Sequence, residues 1–233
     1  MNMLLRMSAG VFAMLLAAAC GNGTGPATSR NNPGTGSSTL QVVADIDAND
    51  DPTIVGGFST DYSVSLSTGA GTAVSGATVT ISNPGLPGGE VTLPETAVGS
   101  GDYLITGNTF PSGDFQLDVV QGTNNVHGVV LGGPGVQNIV QPMKNDTVAA
   151  NQPLLVRWSV PSRAKSAELE TKDFGTITLP DTGSYRIPAI ANPPRPDQRI
   201  RVFRFSEVDI AGGLIGSRLR VKVRKTVEPV VVR

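Results

Sequence analysis

From residue 39 onward, aliphatic and polar side chains alternate in short runs, and glycine and proline separate the runs. Alternation of period two places every second side chain on one face of a β-strand. The pattern predicts strands over 40–45, 62–67, 77–82, 90–93, 102–106, 114–121 and 126–131. A second set follows over 153–159, 166–172, 175–179, 185–188, 198–206 and 216–225. No run of helical period follows residue 20. Many short strands joined by Gly/Pro turns make sandwiches or barrels, so the chain is read as all-β. Val156, Trp158 and Val160 fall on one face by period two, which makes Trp158, the single tryptophan, the core plug of the second set.

The amino end is different. Arg6 precedes an apolar run from Ala9 to Ala19, which ends in the small residues Ala17, Ala18 and Ala19. That is the charged, apolar and small-residue order of a secretory signal, and the run is shorter than the ~20 residues that span a bilayer. Cys20 is the only cysteine, so an exported chain has no intramolecular disulfide and the thiol is free, intermolecular or modified. Leu16-Ala17-Ala18-Ala19-Cys20 resembles the bacterial lipobox. That family favours leucine three places before the cysteine, where this chain has Ala17, with Leu16 one step earlier. The resemblance implies removal of residues 1–19, diacylglycerol on the Cys20 sulfur and a further acyl chain on its amine. Gly21 after the cysteine implies, by the same resemblance, export to an outer membrane. Residues 20–38 continue as a Gly/Ser/Thr/Asn/Pro linker. Too little apolar surface is available there to offset chain entropy, so a flexible tether is expected.

About 210 residues remain after the signal, enough for one or two domains. The expected layout is one sandwich over 39–138 and a second over 139–233, with the boundary near Gly132-Gly133-Pro134-Gly135. Val74-Ser75-Gly76-Ala77-Thr78-Val79-Thr80-Ile81 followed by Gly101-Asp102-Tyr103-Leu104 resembles bacterial Ig-like and carboxypeptidase-regulatory-like modules. Pro153-Leu154-Leu155-Val156-Arg157-Trp158 and Leu179-Pro180-Asp181-Thr182-Gly183-Ser184-Tyr185 resemble strands of fibronectin-III-like domains. These resemblances imply two tandem antiparallel Ig-like sandwiches acting as a scaffold. Fold alone does not give function.

The near-zero net charge hides a division. Residues 39–140 contain ten acidic side chains and no Lys or Arg, whereas residues 141–233 contain sixteen Lys or Arg against nine acids. Such asymmetry bears on partners rather than on fold. Arg218, Arg220, Lys222 and Arg224 alternate with Leu219, Val221 and Val223, which puts four cations on one strand face. That face is either a solvated surface or a site for an anionic lipid, an anionic glycan or an acidic protein, the first candidate being the acidic half of the chain itself. Arg199 and Arg201 precede this strand with one parity, and Arg204 has the opposite parity to them. No aromatic residue lies within the run from Arg218 to Arg224, where a single-strand nucleic-acid binder would interleave them with the cations, so nucleic acid is not an expected partner.

Few residues suggest chemistry. Asp45, Asp47, Asn49 and Asp51 follow the D-x-D-x-N opening of a calcium loop, and Ca²⁺ is the one candidate cofactor. Asp50 stands where that loop needs glycine and Gly56 where it needs glutamate, and the plainer alternative is a polar turn. Glu168 and Glu170 sit two apart on a strand, ~6–7 Å from each other, a separation also used by glycosidases, although surface ion pairing is the simpler expectation. His127 is the only histidine, and no nucleophile elbow, zinc set or phosphate loop accompanies it. The expectation is a non-enzymatic, exported, lipid-anchored envelope protein, with the membrane as one partner, serving as a structural, adhesive or partner-binding module. Two alternatives stand beside it: an electrostatic binder acting through the basic half, and a glycan or small-ligand module or enzyme accessory. Eleven aromatics in the whole chain leave few for a glycan platform.

Overall fold

The computed structural model describes residues 30–233. The signal segment 1–19, Cys20 and the first part of the linker lie outside the described residues. Fifteen strands follow: β1 (Leu40–Asp50), β2 (Phe58–Thr68), β3 (Thr78–Ser82), β4 (Glu90–Leu93), β5 (Asp102–Gly107), β6 (Asp114–Gln121), β7 (Asn124–Gly132), β8 (Ile139–Gln141), β9 (Thr147–Val148), β10 (Leu154–Trp158), β11 (Ser166–Thr171), β12 (Gly175–Leu179), β13 (Ser184–Ile187), β14 (Arg195–Asp209) and β15 (Arg218–Val232). The only helical pieces among the described residues are two short 3₁₀ turns. Each strand read from the alternation has a counterpart, and the all-β expectation is met. The short β8 and β9 carry too few residues to show a period.

One eight-stranded sheet, in the order β12-β11-β14-β15-β1-β2-β5 with β9 also on β15, runs through both halves of the chain. A four-stranded sheet, β4-β3-β6-β7, packs on one part of it and encloses a core that includes Val42, Ile46, Tyr62, Ile81, Phe115 and Leu131. A three-stranded sheet, β13-β10-β8, packs on the other part over Val156, Trp158, Leu169, Ile187 and Val202. Trp158 is a core residue as its parity requires. Val160 lies past the end of β10 and is exposed.

The cores do not divide the chain where its composition does. β15 lies parallel to β1, with Ala44 opposite Leu219 and Ile46 opposite Val221. Leu219, Val221 and Val223 are fully buried in the first core, together with Ile210. Farther along the same strand, Val230 belongs to the second core. β15 runs beyond residue 225, the end expected from alternation, because Pro229 breaks the pattern but not the strand. The Pro229 carbonyl accepts the Asn145 N–H, so the missing proline N–H falls on the edge that β1 has already left. Proline is tolerated on such edges.

The linker expectation is corrected for residues 31–38. Asn32 pairs with Val130 and Thr35 with His127 through reciprocal backbone hydrogen bonds of 2.8–2.9 Å. Gly36 N–H reaches the Ala211 carbonyl at 2.6 Å. Gly34 has φ +63, and a Cβ there would stand 2.5 Å from the His127 carbonyl oxygen. The segment therefore covers the free edge of β7. Its composition gave no sign of this, because edge pairing uses main-chain groups and needs no apolar side chains.

Two tertiary ties fix the ends of the cores. Tyr103, buried on β5, accepts the Ala77 N–H at 2.9 Å and donates to the Val74 carbonyl at 3.4 Å. This tie joins the two pieces of the Ig-like sequence pattern. In the second half, the Arg204 side chain is fully buried and its Nε and Nη2 donate to Asp181. Nη1 also donates to the Gly135 carbonyl (2.7 Å) and Nη2 to that of Ser162. Asp181 also accepts the Trp158 indole N–H at 3.1 Å. The opposite parity of Arg204 on β14 thus points it inward.

Two outcomes are expected. Asp181→Asn leaves a buried guanidinium without its counter-charge and lowers stability by about 3–5 kcal/mol, read as a shift in the urea midpoint. Residues 30–138 expressed alone lack the three β15 aliphatics, each worth ~1.5–3 kcal/mol on burial. They give no cooperative unfolding transition, whereas residues 30–233 do.

Candidate functional site

The outer face of the eight-stranded sheet gathers the charges of both halves. Parallel register sets Asp45 opposite Arg220, Asp47 opposite Lys222 and Asn49 opposite Arg224. Asp45 pairs with Arg218 (3.2 Å) and with Arg220 (2.8 Å), and Arg218 also reaches Glu207 (3.3 Å). Lys222 contacts Glu168 at 2.6 Å and sits over the Phe203 ring, 4.5 Å from its centroid. Arg224 lies 3.7 Å from Asp50. The four-cation face is therefore mostly matched inside the chain, in good part by the acidic half that was its first candidate partner. The acidic strand is its immediate neighbour, and only the fold could disclose that adjacency.

The calcium-loop expectation is corrected. Asp45, Asp47 and Asn49 lie on β1, where alternate residues stand ~6.6–6.8 Å apart in a line and cannot wrap one ion. Asp51, just past the strand, accepts the Thr53 N–H (2.9 Å) and hydroxyl (2.6 Å). That is the self-capping polar turn, and these two bonds hold its carboxyl below the usual range. Among the described residues no group of three or more His, Cys, Asp or Glu side chains is placed to hold a metal.

The remaining candidates separate. Glu168 belongs to Lys222, while Glu170 accepts from both Arg199 and Arg201 at 3.0 Å. Lys165 and Lys172, their neighbours in sequence, pair instead with Glu207 and with Asp197 and Glu228. The two glutamates are thus spent on ion pairs. His127 lies on the edge strand β7 with Nδ1 3.5 Å from Asp118 and its backbone tied to Thr35.

A different group of cations does converge. β1 stops pairing with β15 at Arg224, and β9 begins only at Val231. Between these points β15 has a bare edge, and a cavity of about 520 Å³ opens there, lined by Asp50, Lys144, Arg199, Arg201, Arg224 and Lys225 among others. Arg201, Phe203 and Phe205 share the outer face with Arg224 and Lys222 through cross-strand register. Lys225 points the opposite way and lies over Phe58, 4.9 Å from its ring centroid. Asp50 is engaged by the Thr226 N–H (2.9 Å) and hydroxyl (3.0 Å). The Nε atoms of Arg199, Arg201 and Arg224 are buried without a hydrogen-bond partner. Of this set only Arg224 stood among the sequence candidates. Arg199 and Arg201 were visible as cations of one parity, but nothing in the sequence brings Lys144 to them.

Asp47 faces Asp61 directly across β1 and β2 while Lys222 turns to Glu168. Burial, and then the charges of Asp45 and Asp61, raise its carboxyl above the ordinary value against the opposing pull of Arg220 and Lys222. A carboxyl raised in the folded state binds more protons folded than unfolded. Its charged form therefore opposes folding above that raised value, and the penalty disappears as pH falls below the unfolded value. Asp47→Asn is expected to raise the melting temperature at pH 7, with the gain shrinking toward pH 3.5. Thermal melts of the two chains across that range check both the sign and the window.

No protein-family model and no curated protein matches the sequence. Among solved structures the chain is similar to fibronectin(III)-like modules of CbhA from Clostridium thermocellum. The identity is 13%, with 83% of this chain and 94% of that one covered, and the TM-score is 0.30. It is also similar to a tri-modular GH5 (subfamily 4) endo-beta-1,4-glucanase from Bacillus licheniformis, at 10% identity and a TM-score of 0.29. There 84% of this chain covers 38% of the other. Similarity this low leaves the sandwich fold to rest on the strands and cores themselves.

Proposed function

We propose that the chain is a non-enzymatic, lipid-anchored protein of the bacterial envelope, serving as a stiff structural or partner-binding module. The observation that carries the module reading is the shared eight-stranded sheet, whose strand β15 contributes to both cores. Two bodies joined in this way move as one, which suits a scaffold better than a pair of hinged domains.

The anchor reading rests on residues 1–20: the charged start, the short apolar run, the small residues and the lone Cys20. Two or three acyl chains hold a protein stably at a membrane, at ~0.8 kcal/mol per buried CH₂. Docking of residues 32–36 on β7 and the Ala211 turn adds a constraint. The ten residues from Cys20 to Arg30 reach at most about 35 Å when fully extended. Arg30, where the folded part begins, would therefore lie within about that distance of the lipid head groups.

Growth with an alkyne-tagged fatty acid tests the anchor. The wild-type chain is expected to carry the label and to sediment with membranes. Cys20→Ala is expected to lose the label and the processing that accompanies it. A labelled Cys20→Ala chain would place the lipid elsewhere and overturn the assignment.

A further inference from the structure

We infer that the notch on the bare edge of β15 binds a multivalent oxyanion of the phosphate or sulfate class. The inference goes beyond the anchored-module reading, since it concerns what the folded part recognises and does not need the lipid.

Charge and geometry agree. Four cations line the notch on its charged side: Lys144, Arg199, Arg201 and Arg224. Glu228 is taken by Lys172. Asp50 accepts from Thr226 and lies 3.7 Å from Arg224, and Glu170 is shared by Arg199 and Arg201. Four cations against these two carboxylates leave an excess of two, which an anion of two charges would balance.

The donors are also of the right kind. Guanidinium groups match phosphate and sulfate oxygens with two parallel N–H bonds. Three of them stand here, each still partly exposed, with Glu170 shared between two and Asp50 3.7 Å from the third. Burial, and then the charge of Arg201, lower the Arg224 pKa against the opposing pull of Asp50 and Glu170.

The place fits as well. The notch lies where the two cores meet, built by Asp50, Pro52 and Gly57 from the first half and by the cations from the second. Ligand sites favour such junctions, and a volume of about 520 Å³ is of ligand size. Pro52 and Val227 supply a small apolar wall beside the charges. The oxyanion could be borne on a soluble or glycan group, or on a lipid head group.

Titration calorimetry on the soluble chain from Gly21, which retains every described residue, tests the site with pyrophosphate as the probe. Saturable binding is expected. It should weaken at least tenfold in Arg201→Gln and at least threefold in Lys144→Gln, an exposed position whose change leaves the melting temperature unmoved. Lys165→Gln, paired with Glu207 away from the notch, should bind like wild type. Rising salt should weaken binding through screening. Co-sedimentation with phosphatidylglycerol vesicles supplies the second arm. Retention that is lost in Arg201→Gln marks a lipid head group as the source, and pyrophosphate binding without retention marks a soluble or glycan-borne group. The inference is overturned if neither arm binds, or if Arg201→Gln and Lys144→Gln bind as wild type does. Failure here leaves the fatty-acid labelling of Cys20 untouched, so the two readings fall separately.

Discussion

The parallel pairing of β1 with β15 is the constraint on which the rest of the molecule depends. It joins strands about 175 residues apart and brings aliphatic partners into register on one face and opposite charges on the other. The aliphatic face completes the first core with Leu219, Val221 and Val223. The charged face keeps four cations beside Asp45, Asp47 and Asp50, where each half would otherwise repel itself. Parallel neighbours need a long crossover, and here the crossover is nearly the whole protein. Contacts this distant in sequence form slowly, so the first core closes only when the last strand arrives.

The bare edge of β15 is a consequence of the same pairing. β1 ends at Asp50 while β15 continues into the second core, so a stretch of strand is left with a partner on one side only. Asp50 closes part of the gap through Thr226, and Asn145 closes another part at the Pro229 carbonyl. The cations around this gap have fewer counter-charges than those farther along the sheet. The buried Arg204–Asp181 pair differs in kind. Each of its three nitrogens donates to a carboxylate or carbonyl oxygen, so it holds Trp158 and the junction in place.

Motifs carried different weight for different reasons. The Val74-to-Ala77 and Gly101-to-Tyr103 pieces belong together because the Tyr103 hydroxyl bonds the opposite turn twice, accepting from Ala77 and donating to Val74. Gly101 belongs to this tie: its φ is +69 and a Cβ would meet the Leu66 carbonyl at 2.6 Å. The Asp45-to-Asp51 pattern misled because ligand spacing in a loop and alternation on a strand both place oxygen at every second residue. Strand geometry separates those oxygens, whereas a loop would gather them. The docked segment 32–36 was hidden from composition because its bonds are made by backbone.

Period two and side-chain polarity made the longer strands, their inward faces and the parity of each charged residue legible from the chain alone, but not the short β8 and β9. The sequence placed Trp158 and Leu219, Val221 and Val223 on buried faces, and it set Arg204 apart from the cations around it. The tertiary structure alone decided which strands are neighbours. That choice made β15 part of both cores, turned the acidic and basic halves toward each other and gathered Lys144 with Arg199, Arg201 and Arg224. Period is a local property of a chain, readable within a few residues. Adjacency across a sheet is set by packing between distant segments, and no local pattern records it.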